Sequence, residues 1–212
     1  MKRLALIGSK EFAEQISEFV AMTGQYAIVG YFDDFEEKGT LVRGLPILGK
    51  IAEVECCYSK NLFDCLFFAS GYNNFIFRDN TFSTLKGKIP FANIIMPDVE
   101  IGKNVRLGEG VFIGNHTIIG NNTIIEDNVF IHGSTNIGHD NRIGRSTYIS
   151  GRFDSAGFCK IGCRNFMGIK VMVSDHVSTS DDIWIGLGCI VAKDLKQPGK
   201  YMSSAAKLYK ID

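Results

Sequence analysis

Written in sixes from residue 99, the second half of the chain holds one phase for sixteen consecutive units: VEIGKN, VRLGEG, VFIGNH, TIIGNN, TIIEDN, VFIHGS, TNIGHD, NRIGRS, TYISGR, FDSAGF, CKIGCR, NFMGIK, VMVSDH, VSTSDD, IWIGLG and CIVAKD. The third position is Ile, Leu, Val or Met in fourteen of them, the exceptions being Ser155 and Thr179. No residue is inserted or lost through residue 194. A period of six held this long specifies a parallel β-helix, in which each unit is a short strand plus a corner and three units close one triangular coil. The third-position aliphatics then stack down the axis as the core. Glycine, frequent at the fourth position, is expected where the corner needs a positive φ. Sixteen units make about five coils, roughly 25 Å of prism at a strand spacing of ~4.8 Å.

Residues 1–94 follow a different rule, alternating buried strands with helices. RLALIG reads as a strand ending at Gly8, and KEFAEQISEFVAMTG places Phe12, Ile16, Phe19 and Val20 on one helical face closed by Gly24. YAIVGYF is a second strand ending at Asp33-Asp34, GLPILG a turn-bounded link, DCLFFAS a third strand, residues 74–87 a weak helix and FANIIM a fourth strand. This is the pattern of a small parallel sheet wrapped by helices, a Rossmann-like α/β domain. Ligands on such sheets bind at the carboxyl ends of the strands. Here those ends are Gly8-Ser9-Lys10, Asp33-Asp34 and Gly71-Tyr72-Asn73-Asn74. The chain therefore divides into residues 1–94, a β-helix over 95–194 and a tail over 195–212.

Composition narrows the function. With 23 basic and 23 acidic residues, there is no electrostatic case for nucleic acid or an anionic membrane. Lys10 and Glu11 interrupt the apolar start too early for a signal peptide, and no run approaches the ~18 apolar residues of a membrane span. The six cysteines lack the spacing of a metal site, so no metal is expected and they read as small fillers of a reducing, cytoplasmic environment.

A solenoid supplies no chemistry by repetition, so the informative residues are those it does not require. His116 and His176 end their units, where polar residues are ordinary. His132 stands where glycine is usual, and His139 is followed by Asp140. A carboxylate beside an imidazole fixes its tautomer and raises its basicity. One coil later comes FDSAGF, where Ser155, Ala156 and Gly157 replace the core aliphatic and its neighbours. That unit is either a packing adjustment or a slot for a thin ligand beside His139.

The hexapeptide units, the GHD triplet, the small-residue unit and the IWIGLGCIVAKD run together resemble left-handed β-helix acyltransferases. The first half, with FDDF after its second strand and GYNN after its third, resembles more narrowly the nucleotide-amino-sugar N-acetyltransferases of the bacillosamine type, related to sialic-acid O-acetyltransferases. The resemblance implies a homotrimer with active sites between neighbouring prisms, acetyl-CoA as co-substrate, and a UDP- or dTDP-linked 4-amino-deoxy sugar held by the first domain. It places the catalytic base on His139 and its acidic partner on Asp140. It places substrate contacts on His132, Gly8, Ser9, Lys10, Asp33, Asp34, Gly71, Tyr72, Asn73 and Asn74. Acyl-carrier contacts fall on Tyr148, Gly157, Ile169, Gly186, Leu187 and Gly188. The chain departs from the family's first loop with GSKEFA, carries Tyr148 where several relatives have His, and has Ala205-Ala206-Lys207 for the usual Pro-Ala-Lys. In this chemistry a sugar amine attacks the thioester and an imidazole, with an ordinary pKa of ~6.5, takes the proton. A backbone N–H near Gly157 is the candidate oxyanion donor. The alternatives are a sugar or sialic-acid O-acetyltransferase and a catalytically silent scaffold.

Overall fold

The computed structural model describes residues 1–71 and 74–203. Its first half comprises β1 (Lys2–Ile7), α1 (Glu11–Thr23), β2 (Tyr26–Phe32), β3 (Leu41–Val42), β4 (Leu45–Gly49), α2 (Val54–Ser59), β5 (Cys65–Phe68) and α3 (Phe75–Leu85). The five strands form one sheet in the order β3-β4-β2-β1-β5. β1 lies between β2 and β5, parallel to both, and buries Leu4, Ala5, Leu6 and Ile7. α1 buries Ala13, Ile16 and Val20 and ends at Gly24, whose φ of 63° closes the helix.

Two segments differ from the sequence expectation. GLPILG is no link: Leu45–Gly49 is β4, pairing with β2 in parallel and with β3 in a tight antiparallel hairpin. FANIIM is not a fourth strand of this sheet. Phe91 makes a single bridge to Leu66, and Ile94–Ile95 then pairs with Phe112–Ile113 as the first strand of the second half. One short segment thus joins both halves.

The second half is a left-handed parallel β-helix of short strands stacked in sheets of seven, six and four. Strands pair at a separation of 18 residues, as Ile118 with Asn136 and Ile124 with Arg142, until the last pairing, Ile183 with Gly199, where it is 16. Ile113, Ile119, Ile125, Ile131, Ile137, Ile143 and Ile149 are almost fully buried along the axis. Each such side chain contributes about 1.5–3 kcal/mol by leaving water. The prism continues past the tail boundary, because Gly199–Tyr201 pairs with Ile183–Ile185. Ala205, Ala206 and Lys207 lie outside the described residues.

The corners work differently from the expectation. Positive φ falls on the sixth position of the unit, at His116, Asn122, Asn128, Ser134, Asp140, Ser146, Arg152 and Phe158 among others. The fourth-position glycines serve close approach instead. A Cβ on Gly120 would sit 2.5 Å from the backbone of Gly138, in the next coil. Nor does the Ser155 unit leave a slot. The buried Asn141 side chain fills it, donating to Ser155 Oγ at 2.8 Å, and Asn165 does the same for Thr179 at 2.6 Å. Both breaks in the repeat are therefore packing adjustments around a buried amide.

The halves dock through aromatic side chains. Phe112, Phe130, Tyr148, Phe166 and Trp184 project from the seven-stranded sheet at 18-residue intervals and stack in a column, with centroid separations of 4.2, 5.0, 5.9 and 4.0 Å. Phe12 and Phe19 of α1 pack on it, 5.0 Å from Phe130 and 4.9 Å from Phe112. α3 is fixed by charge. Its buried Arg78 donates to Asn128 Oδ1 at 3.0 Å and to the Asn128 carbonyl at 2.6 Å. Burial lowers the Arg78 guanidinium to about 10. Asp79, 4% exposed, accepts from Arg145, Arg164 and Ser146.

Burial pushes the Asp79 carboxyl up, but the hydrogen bonds from Arg145 and Ser146 and the nearby guanidinium charges prevail and hold it below the ordinary carboxylate range. Its contribution to stability is therefore complete above the unfolded pKa of ~3.9 and is lost as pH falls through the lower folded value. Asp79→Ala removes the carboxylate partner of Arg145 and the acceptor of the buried Ser146 hydroxyl, while Arg164 keeps Asp182. We expect a loss of about 3 kcal/mol in urea unfolding at pH 7, and a smaller difference between the two proteins at pH 3.

Candidate active site

His139 and Asp140 occupy a corner after the strand Asn136–Ile137 of the six-stranded sheet. Asp140 is the left-handed residue of its unit, with φ 55°, a conformation that Asp tolerates better than most side chains. Its Oδ2 lies 2.8 Å from His139 Nδ1, and its Oδ1 accepts from Asn122 Nδ2 at 3.2 Å. With Nδ1 engaged, Nε2 is the ring nitrogen left for chemistry. It lies over Gly157, in the corner of the next coil, where a Cβ would stand 2.7 Å from both Nε2 and Cε1. Gly157 is thus the seat of the imidazole. Phe158 meets the ring edge-on at 5.1 Å and stacks at 4.8 Å on His176, a contact the sequence reading missed. The Gly157 N–H has no acceptor among the described residues. A cavity of about 370 Å³ runs along the six-stranded face from Glu100 to His139.

The other predicted carrier residues separate. Ile169 (55% exposed) and Leu187 (70% exposed), with Gly186 and Gly188, lie on the corner that follows the seven-stranded sheet, not on the corner of His139 and Gly157. Tyr148 is on neither exposed edge. It is buried in the aromatic column near Phe12, and its hydroxyl lies 2.5 Å from His132 Nε2. Burial pushes the His132 imidazole below its ordinary pKa, so it is neutral at pH 7. His132 makes its contact with Tyr148, across from Phe130, and none with His139. Burial also pushes the Cys159 and Cys163 thiols up, which leaves them poor nucleophiles.

At the carboxyl ends of β1, β2 and β5, Gly8, Lys10, Asp33, Asp34, Gly71 and Asn74 line one crevice of about 570 Å³, with Phe12, Phe35 and Phe77. Tyr72 and Asn73 lie outside the described residues. Gly8, at φ 104°, passes so close to β5 that a Cβ would sit 2.8 Å from the Ala69 carbonyl. Ser9 is buried behind the crevice rather than lining it. The Asp33 carboxylate is largely committed: Oδ2 takes the Ser9 N–H at 3.1 Å and its hydroxyl at 2.6 Å, and Oδ1 takes the Phe35 N–H at 2.9 Å. Asp34 spends one oxygen on the Ile51 N–H at 2.8 Å. Asn74 caps α3 through the Phe77 N–H at 3.1 Å. Lys10 pairs with Glu36, and Arg43 braces the first loop through the Ser9 carbonyl at 2.8 Å. Phe35, 88% exposed at the rim, carried no sequence signal beyond its place after the two aspartates.

Residues 3–87 match the family described as the PglD N-terminal domain. The crystal structure of PerB from Caulobacter crescentus, in complex with CoA and GDP-perosamine, superposes with a TM-score of 0.84 at 23% identity, covering 99% of this chain and 98% of that one. The acetyltransferase domain of PglB from Neisseria gonorrhoeae gives 0.83 at 22% identity, covering 98% and 99%. A UDP-3-O-acylglucosamine N-acyltransferase of Herminiimonas arsenicoxydans is 35% identical over 65 residues, 31% of this chain and 19% of that protein. The chain thus spans about a fifth of the length of that curated relative. In the order and architecture of its halves, an α/β domain that matches the PglD N-terminal family followed by a left-handed β-helix, the chain has the fold of these hexapeptide-repeat acyltransferase structures.

Proposed function

We propose that this chain is an acetyl-CoA-dependent N-acetyltransferase acting on a nucleotide-linked amino sugar, with His139 as general base. The observation that carries the reading is the imidazole locked by Asp140 at Nδ1, with Nε2 seated over a residue that has no side chain. The sugar amine attacks the thioester carbonyl and a C–N bond forms. Nε2 takes the amine's proton, the C–S bond breaks and the thiolate leaves, to be protonated in turn. The unengaged Gly157 N–H is the candidate donor to the oxyanion. What supports a nucleotide in the crevice of the first domain is Phe35, an exposed ring for a base, and Asp34, an acceptor for a sugar hydroxyl, with the Lys10 ammonium at the wall shared with Glu36. The PerB complex adds GDP to UDP and dTDP as candidate carriers. Six free cysteines fit a reducing cytoplasm.

The reading includes a homotrimer. The predicted carrier residues fall on two different edges of one prism, so a neighbouring copy is needed to bring Ile169 and Leu187 opposite His139. The six-stranded face between those edges carries exposed Ile118, Met172 and Ile190, suited to burial against that copy.

The direct test is acetyl-CoA consumption with amino sugars linked to UDP, dTDP and GDP. His139→Ala should lower kcat by roughly 100- to 10,000-fold without changing the circular dichroism spectrum, and Asp140→Asn should cost less. Near-parental turnover in His139→Ala would remove His139 as the base. Gly157→Ala should push the ring off its seat and lower kcat by about 10- to 100-fold, with acetyl-CoA affinity changed less. Light scattering should give about three times the 23.5 kDa chain mass. An active monomer would refute the shared site.

A further inference from the structure

Inside the hydrophobic axis, four buried polar side chains repeat one geometry. Thr123, fully buried, donates from Oγ1 to the Gly138 carbonyl at 2.9 Å and accepts the Asn141 N–H at 3.2 Å. It therefore grips both ends of the corner that carries His139 and Asp140. Asn141, 2% exposed, repeats this one coil on: Nδ2 donates to the Ala156 carbonyl at 3.0 Å, and Oδ1 accepts the Cys159 N–H at 2.6 Å. It grips the corner that carries Gly157 and Phe158. Thr147 and Asn165 do the same on a different edge of the prism, at the corners after Ile161 and Thr179.

Each grip satisfies a carbonyl and an N–H that an aliphatic side chain would leave without that partner. On the His139 edge the two grips are stacked. The base rides on a corner held by Thr123, and its seat belongs to a corner held by Asn141. The separation of ring and seat is set by backbone position, because Gly157 has no side chain to adjust. The Ser155 break serves the same end, since an aliphatic at 155 would displace the Asn141 amide that it now contacts.

We infer that Thr123 and Asn141 are positioning residues of the acyl-transfer site, fixing the corner of His139 against the corner of Gly157. The inference rests on the proposed role of His139. Valine begins several units of this repeat and matches threonine in shape, so Thr123→Val preserves the prism. Thr147→Val removes the same two bonds on the edge without the base. We expect Thr123→Val to lower kcat about tenfold, with KM for both substrates within about twofold of the parent, because small misplacements of a reacting group are costly. Thr123→Ser should restore the rate, and Thr147→Val should keep it. Asn141→Val with Ser155→Val should lower kcat, while Asn165→Val with Thr179→Val should not. The His139 imidazole resonances should move in Thr123→Val and stay in Thr147→Val. A Thr123→Val kcat within twofold of the parent, or an equal loss in Thr147→Val, would overturn the inference. His139→Ala in the same assay separates the two ideas: if it keeps the parental rate, the proposed base fails first. If it is inactive while Thr123→Val is unaffected, only the positioning role fails.

Discussion

Every feature of the second half depends on one constraint, that a coil consumes 18 residues and places residue i directly beneath residue i+18. Backbone hydrogen bonds run between coils, as from the Gly138 N–H to the Ser155 carbonyl at 3.0 Å. A side chain at a given position of the unit therefore always meets the same position of its neighbour. At the third position that contact yields the aliphatic axis. At the fourth, where glycine stands, as at Gly120 and Gly138, the backbone of the next coil occupies the space of a Cβ. At the sixth it imposes a left-handed conformation even on Arg152, Phe158 and Lys170, which on their own disfavour it by about 1–2 kcal/mol. Burial along the axis and the cooperative ladder offset that strain.

The same stacking makes the join between the halves. Second-position residues of every third unit come into line, and here they are aromatic, from Phe112 to Trp184. α1 lays Phe12 and Phe19 on that column, and Phe12 also lines the crevice at the strand ends. The crevice wall and the prism face are thus one packed unit. α3 adds a polar clamp in which Asp79 gathers Arg145 and Arg164 from successive coils. Docked through α1 and α3, the sheet domain is held at a fixed distance from the corners of the prism.

The geometry of the His139 corner follows from where the repeat is relaxed. Asp140 takes the left-handed position and folds its carboxylate back onto the preceding imidazole. Gly157 takes a position where other units carry polar or charged side chains, such as Asp181, which caps the Cys163 N–H at 2.8 Å. Removing that side chain opens room for the ring. Cys159 is buried, and His132 is packed in the aromatic column with its Nε2 on the Tyr148 hydroxyl.

The sequence alone determined the prism, because a six-residue period without a break admits no other stacking. It also determined the strand–helix alternation of the first half and the pairing of His139 with Asp140, since adjacent residues on a corner are close in any fold. Faint signals were misread where local pattern competes with tertiary contact. Phe91 and Ile94–Ile95 look like one strand, yet each belongs to a different sheet. Arg78 and Asp79 blur the periodicity of α3 because that helix buries charge rather than an apolar stripe. Asp33 stands in the predicted crevice, and only the fold shows its oxygens also turned on Ser9 and Phe35. Which side chain fills the gap at Ser155, and that Tyr148 faces α1 rather than the exposed edge, were decided by the tertiary structure. Those outcomes depend on neighbours 14 to 18 residues or a whole domain away, and no local window of sequence contains both partners.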